Sequence, residues 1–179
     1  MCQKFRQDDI QLLKQKVLEM MDSAMDNIRK THDSIELFKE MKFGQLGFTT
    51  EGRRDNIIEQ VNQSFTILMS CFVAKHYFPE ATYFSFALGN SSGRDMTVYD
   101  YNDKVIAEVE IFTAVKANNN GKLRKDINRL RDAKTIADGC RRVVCYSAQK
   151  ECKMKNMPGD EKVEVKYWPL NVFMSWIRE

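Results

Sequence analysis

Apolar residues recur at steps of three and four through Ile10, Leu13, Val17, Met20, Ala24 and Ile28, then through Ile35, Phe38 and Met41. That spacing puts them on one face of an α-helix and predicts helix from residue 8 to about 43. Asp33 followed by Glu36 has the form of a capping box, which allows two helices broken near His32 instead of one. The stripe is close to a heptad and suits an arm that packs on the domain or on a second copy. Gly44 to Thr50 is the predicted connector. A second helical stripe, Ile57, Val61, Phe65, Leu68 and Phe72, predicts a helix over Arg53 to Tyr77, capped by Thr50 and ended before Pro79.

Beyond Pro79 the period changes from helical to alternating. Thr82 to Leu88 is β-branched and aromatic and predicts a strand. Arg94 to Asp100 and the run from Val105 predict two more, joined by the turn Tyr101-Asn102-Asp103-Lys104. Pairing Asp95 to Asp100 against Val105 to Glu110 sets Asp95 opposite Glu110 and diagonal to Glu108. The loop ANNNG leads into a helix predicted over Lys122 to Asp138, with Leu123, Ile127, Leu130 and Ile136 inward and Gly139 as its C-terminal cap. Arg141 to Ser147 predicts a strand, and the strand–helix–strand order predicts a parallel pair. A polar loop, an alternating strand over Glu161 to Trp168, and a short helix from Pro169 that packs Phe173 and Trp176 complete the pattern.

Composition narrows the class. The chain has 179 residues, 43% hydrophobic and 30% charged, which fits one globular domain with a small appendage. No apolar run approaches a membrane span, and MCQKFRQDD lacks the apolar core of a secretory leader. Five cysteines without a CxxC pair point to reduced thiols and a cytoplasmic setting. The two histidines, His32 and His76, are far apart in sequence, which argues against a zinc site or a His-based triad.

Val105, Ala107, Val109 and Ile111 form one apolar row, so Glu108 and Glu110 project from the opposite face of the same strand. Two acids on one strand face repel each other. Either that face is wetted, as in a half-exposed antiparallel strand, or the acids serve a hard divalent cation. Lys116, Lys122, Arg124, Lys125, Arg129, Arg131, Lys134, Arg141 and Arg142 lie close behind them, against only Asp126, Asp132 and Asp138. Such a surplus suits either a solvated helix face or a nucleic-acid backbone.

Gly93-Arg94-Asp95, the hairpin, Glu108-Val109-Glu110, and the basic helix with its Lys-Asp-x-x-x-Leu resemble the PD-(D/E)XK nuclease superfamily over roughly residues 54 to 147. In that family an Asp opens the second core strand, and an acid followed two residues later by Lys lies on the third. The resemblance implies a restriction-endonuclease-like mixed β-sheet flanked by helices, an α/β class, here behind an N-terminal helical arm. It implies that Asp95 and Glu108 bind Mg2+ or Mn2+ and that Glu110 stands at the lysine position, as glutamate does in some restriction enzymes. Lys116, Lys122 or Lys125 would then supply the missing positive charge. Glu59, which falls nearly opposite its helix's apolar stripe, is read as solvent-facing and not as a ligand.

We therefore expect an arm over residues 1–46 and a nuclease-like core over 47–179. The expected activity is metal-dependent hydrolysis of nucleic-acid phosphodiesters, DNA before RNA. Asp95, Glu108, Glu110 and Lys116 form the catalytic set, and Lys122, Arg124, Lys125 and Arg129 hold nucleic acid. The alternatives are a catalytically inactive nucleic-acid-binding module on the same fold and an interaction protein, including a homodimer paired through the N-terminal helices.

Overall fold

The structure, a computed structural model, describes residues 4–30, 32–43, 57–87, 93–115, 121–137, 139–152 and 160–179. One six-stranded sheet organises it: β1 (Lys4–Arg6), β2 (Tyr83–Phe86), β3 (Met96–Tyr99), β4 (Val105–Ala114), β5 (Arg141–Ala148) and β6 (Glu164–Pro169) lie side by side in that order. From β1 to β4 the neighbours are antiparallel, and β4, β5 and β6 are parallel. The parallel step from β4 to β5 goes with a crossover through α4 (Lys122–Arg131), because two parallel strands cannot be joined by a tight turn. The chain is thus a mixed α/β protein with helices on both faces of a mixed sheet.

The remaining helices are α1 (Asp9–Lys30), α2 (Ser34–Phe43), α3 (Ile57–Tyr77) and α5 (Leu170–Arg178). Strand alternation divides the sheet's side chains between two layers. Met96, Val98, Ala107, Val109, Ile111, Val143 and Cys145 pack against α1, α3 and α5 through Ile10, Leu13, Val17, Leu68, Phe72, Phe173 and Trp176. On the other face Phe112, Val144, Tyr146 and Ala148 pack under Leu123, Ile127 and Leu130 of α4. Lys14 is buried in the first layer, where it donates to the Trp176 carbonyl at 2.6 Å and ties α1 to the end of α5.

Several expectations need revision. Residues 1–46 are expected as an arm, yet β1 extends the sheet and Ile10, Leu13 and Val17 enter the common core. The strand β1 is too short for periodicity to announce. The expected boundary at 46 and 47, the Thr50 cap, most of the ANNNG loop and Lys116 lie outside the described residues. The helix expected to run to Asp138 ends at Arg131, with Asp132 as its C-cap. Its last carbonyls have another partner: the Arg142 guanidinium donates to the carbonyls of Leu130, Arg131 and Ala133 at 3.1, 2.9 and 3.3 Å. Gly139 instead takes a left-handed φ of 80° in the turn before β5. Ile106, which strict alternation along the strand would put on the face of Glu108 and Glu110, packs with the opposite layer, where the β3–β4 ladder slips between Val98 and Tyr99.

The break near His32 is present, and Asp33 Oδ1 accepts the Glu36 amide at 2.9 Å. Replacing Asp33 by Ala is expected to cost α2 about 1 kcal/mol, seen as faster amide exchange in its first turn.

Candidate functional site

The paired register Met96–Val109 and Thr97–Glu108 is the one expected from alternation and the hairpin length. It brings Asp95, at the entrance to β3, next to the outer half of β4. Beyond the Met96–Val109 pair the ladder stops, and the Asp95 carboxylate takes the next available amide: Ile111 N–H donates to Oδ2 at 2.7 Å. The Asp95 carbonyl accepts the Ala87 amide at 3.0 Å, so backbone and side chain together hold this residue between β2 and β4.

Glu110 is fully buried under α4. Its Oε1 accepts from Arg94 Nη1 at 2.9 Å and lies 3.3 Å from Arg129 Nε, while Oε2 accepts from Arg129 Nη1 at 3.3 Å. Arg129 also donates to the Gly93 carbonyl at 2.7 Å. Burial is the chief cause of a Glu110 carboxyl raised to about 7, and repulsion from Asp95 adds to it against the pull of Arg129 and Arg94.

That shift has a consequence for stability. The ordinary value is 4.5, so the folded protein holds this proton more tightly than the unfolded chain does. The resulting stabilisation is complete below the ordinary value and is lost as pH rises through about 7. Urea midpoints are expected to fall between about pH 5 and about pH 8, with a flatter profile for Glu110→Gln.

Asp126 of α4 belongs to the same group of acids. It is buried, and its carboxyl is raised first by burial, with Asp95 among the contributing charges. Lys122 donates to Asp126 Oδ1 at 2.9 Å, whereas Oδ2 is buried without a hydrogen-bond partner among the described residues. A cleft of about 420 Å³ opens between α3 and α4 beside this group. Asp95, Lys122 and Lys125 line it, with Asn62 and Thr66 on the α3 side. Lys122 Nζ lies 5.9 Å from the centre of the Phe112 ring.

The expected site residues therefore separate. Asp95 and Glu110 come together. Glu108 shares their strand face but is drawn aside, accepting from Thr97 Oγ1 at 3.2 Å, and its carboxyl is raised by burial. Lys122 and Lys125 reach the cleft. Arg124 turns away from it to Asp160 at 2.7 Å, an acid shared with Arg131. Arg129 engages Glu110 instead of facing open solvent alone. Arg94, Asp126, Asn62 and Thr66 received no role from the sequence. The spacing Lys122 to Asp126 and Asn62 to Thr66, one helical turn each, was the only available hint.

Magnesium is commonly held by one or two carboxylates, with waters and substrate phosphates completing its shell. Asp95 and Glu110 are a donor pair of that kind, and Asp126 Oδ2 is an orphaned acceptor in the same place. Among the described residues, no group of three or more His, Cys, Asp or Glu stands ready to hold an ion. The residues fit a cation shared with substrate better than a cage made by protein alone.

No protein-family model matches the chain, and comparisons with characterised proteins and with solved structures likewise find no match. Among the described residues, no helix is long and apolar enough to cross a membrane. The described cysteines, Cys71, Cys140, Cys145 and Cys152, are free thiols.

Proposed function

We propose that this chain is a Mg2+- or Mn2+-dependent nuclease on the restriction-endonuclease-like fold, with DNA favoured over RNA. One observation carries the proposal: Asp95 and Glu110, with Asp126 close by, are kept together where the start of β3 meets the middle of β4, beside a cleft lined by two lysines. Arg94, Arg129 and Lys122 offset part of the repulsion among these acids, while Asp126 Oδ2 stays buried without a hydrogen-bond partner among the described residues, an acceptor that a cation or its water would satisfy. The order α3, β2–β3–β4, α4, β5 is also the order that the sequence resemblance implies.

In this reading Glu110, and not Glu108, is the acid partnered with Asp95. The family's lysine position then falls on Phe112, and Lys122, whose ammonium lies over that ring, brings the charge from α4. Bound magnesium would supply Lewis acidity and a more acidic water. Asp95, anchored by the Ile111 amide, orients the carboxylate side of the cleft. Lys122, steadied by Asp126, faces the scissile phosphate, and Lys125 meets a flanking one.

Incubation with single- and double-stranded DNA and RNA in Mg2+ or Mn2+ tests this. Cleavage by the native protein, absent from Asp95→Ala and strongly reduced in Lys122→Ala, is the expected result. Cleavage that persists in Asp95→Ala means another site or a contaminant.

A binding module without chemistry is the second reading, favoured by the arginines on both Glu110 oxygens. It requires metal-independent DNA affinity that falls steeply with salt, and no cleavage. Ile35 and Phe38, 76% and 69% exposed on α2, are the surface on which a proposed homodimer would rest. A mass that depends on concentration, and that Phe38→Ser makes monomeric, is the corresponding expectation.

A further inference from the structure

We infer that Arg94 and Arg129 form a latch on Glu110, opened by a nucleic-acid phosphate, that couples cation binding to substrate binding; this rests on the nuclease reading. Both Glu110 oxygens are engaged, one by Arg94 and both by Arg129, so a cation approaching either oxygen meets a guanidinium already there. The guanidinium charges also repel a divalent ion brought to the same oxygens. The latched state is therefore a poor cation site even though its acids are in place.

The two arginines differ in what can reach them. Arg94 is 14% exposed and confined, whereas Arg129 is 49% exposed on the outer side of α4. Both border a hollow of about 380 Å³ that also includes Thr97, Thr135 and Glu108, whose carboxylate accepts from Thr97. Arg129's hold on Glu110 is made of two long contacts, at 3.3 Å, and its shortest bond goes to the Gly93 carbonyl, an uncharged acceptor. A phosphate offers two charged, exposed oxygens to the planar guanidinium fork, and bidentate Arg–phosphate pairing competes well against such contacts.

Release of Arg129 leaves Glu110 held by Arg94 alone next to Asp95 and bares its Oε2, and that arrangement attracts a cation. Phosphate capture and cation capture thus favour each other. Linkage makes the effect reciprocal: nucleic acid raises cation affinity by the factor by which the cation raises nucleic-acid affinity. An ion is engaged when substrate is present, which limits metal chemistry in the free protein.

Mn2+ binding, followed by electron paramagnetic resonance with and without a short duplex oligonucleotide, reads the latch without relying on turnover. The native protein is expected to bind Mn2+ at least about tenfold more tightly with duplex than without. Arg129→Gln, its fold checked by thermal melting, is expected to bind Mn2+ nearly as well without duplex as with it. Arg129→Gln with Glu110→Gln loses that gain. If native protein and Arg129→Gln bind Mn2+ equally without duplex, the latch is wrong and the nuclease proposal stands. If no folded variant binds Mn2+ in any condition, the nuclease proposal fails and the latch with it. Arg94→Gln serves in place of Arg129→Gln should the latter not fold.

Discussion

Asp95→Asn is expected to lose metal-dependent cleavage by roughly a thousandfold while the protein stays folded, since several kcal/mol of charge stabilisation depend on a ligand of this kind. Asparagine separates the two duties of the side chain. Its amide oxygen can still accept the Ile111 N–H, now bonded to Asp95 Oδ2 at 2.7 Å, so the end of the β3–β4 ladder is kept. The negative charge next to Glu110 is gone. Asp95→Ala removes both, leaves a part-buried amide without an acceptor, and adds about 1–3 kcal/mol of destabilisation to the same catalytic defect. Melting curves for the two variants beside their cleavage rates distinguish lost chemistry from lost structure. A cleaving Asp95→Asn protein removes Asp95 from the mechanism.

The largest stability effect is expected at Phe72. This residue of α3 is 3% exposed, and its ring meets Trp168, Phe173 and Trp176 edge-on with centroids 5.6, 5.8 and 5.5 Å away. It is the point at which α3, β6 and α5 share one cluster. Phe72→Ala is expected to lose about 3–5 kcal/mol, from lost burial, an unfilled cavity and the ring contacts. Phe72→Leu keeps most of the volume and is expected to lose less. Urea denaturation followed by tryptophan fluorescence measures both, because Trp168 and Trp176 flank the site. Cleavage by the folded fraction should be unchanged, since the cluster lies on the face opposite Glu110.

Much of the architecture was present in the order of residues along the chain. The apolar stripe Val61, Phe65, Leu68 and Phe72 could only be a helix, and the row Ala107, Val109 and Ile111 could only be the inner side of a strand. A short turn and a side-chain period of two were enough to set the pairing Met96–Val109 and Thr97–Glu108, one step short of Asp95, whose carboxylate takes the Ile111 amide. Local periodicity captures these features because each depends on neighbours within a few positions. It failed at β1, which is too short to show a period, and at the end of α4, which is capped from β5 by Arg142.

Parity along β4 treats Glu108 and Glu110 alike, since both leave the same face. Only the packing of α4 on the sheet separates them: Glu110 is covered and gripped by Arg129, nineteen positions away, while Glu108 stays half-buried with Thr97. The same packing carries Lys122 to the cleft and Arg124 to Asp160. Burial and charge pairing depend on distances set by how two elements cross, and no repeat in one element encodes where the other will lie. Alternation along the chain picked out Asp95, Glu108 and Glu110 but not Asp126. Which acids lie together was decided by the fit of a helix to a sheet.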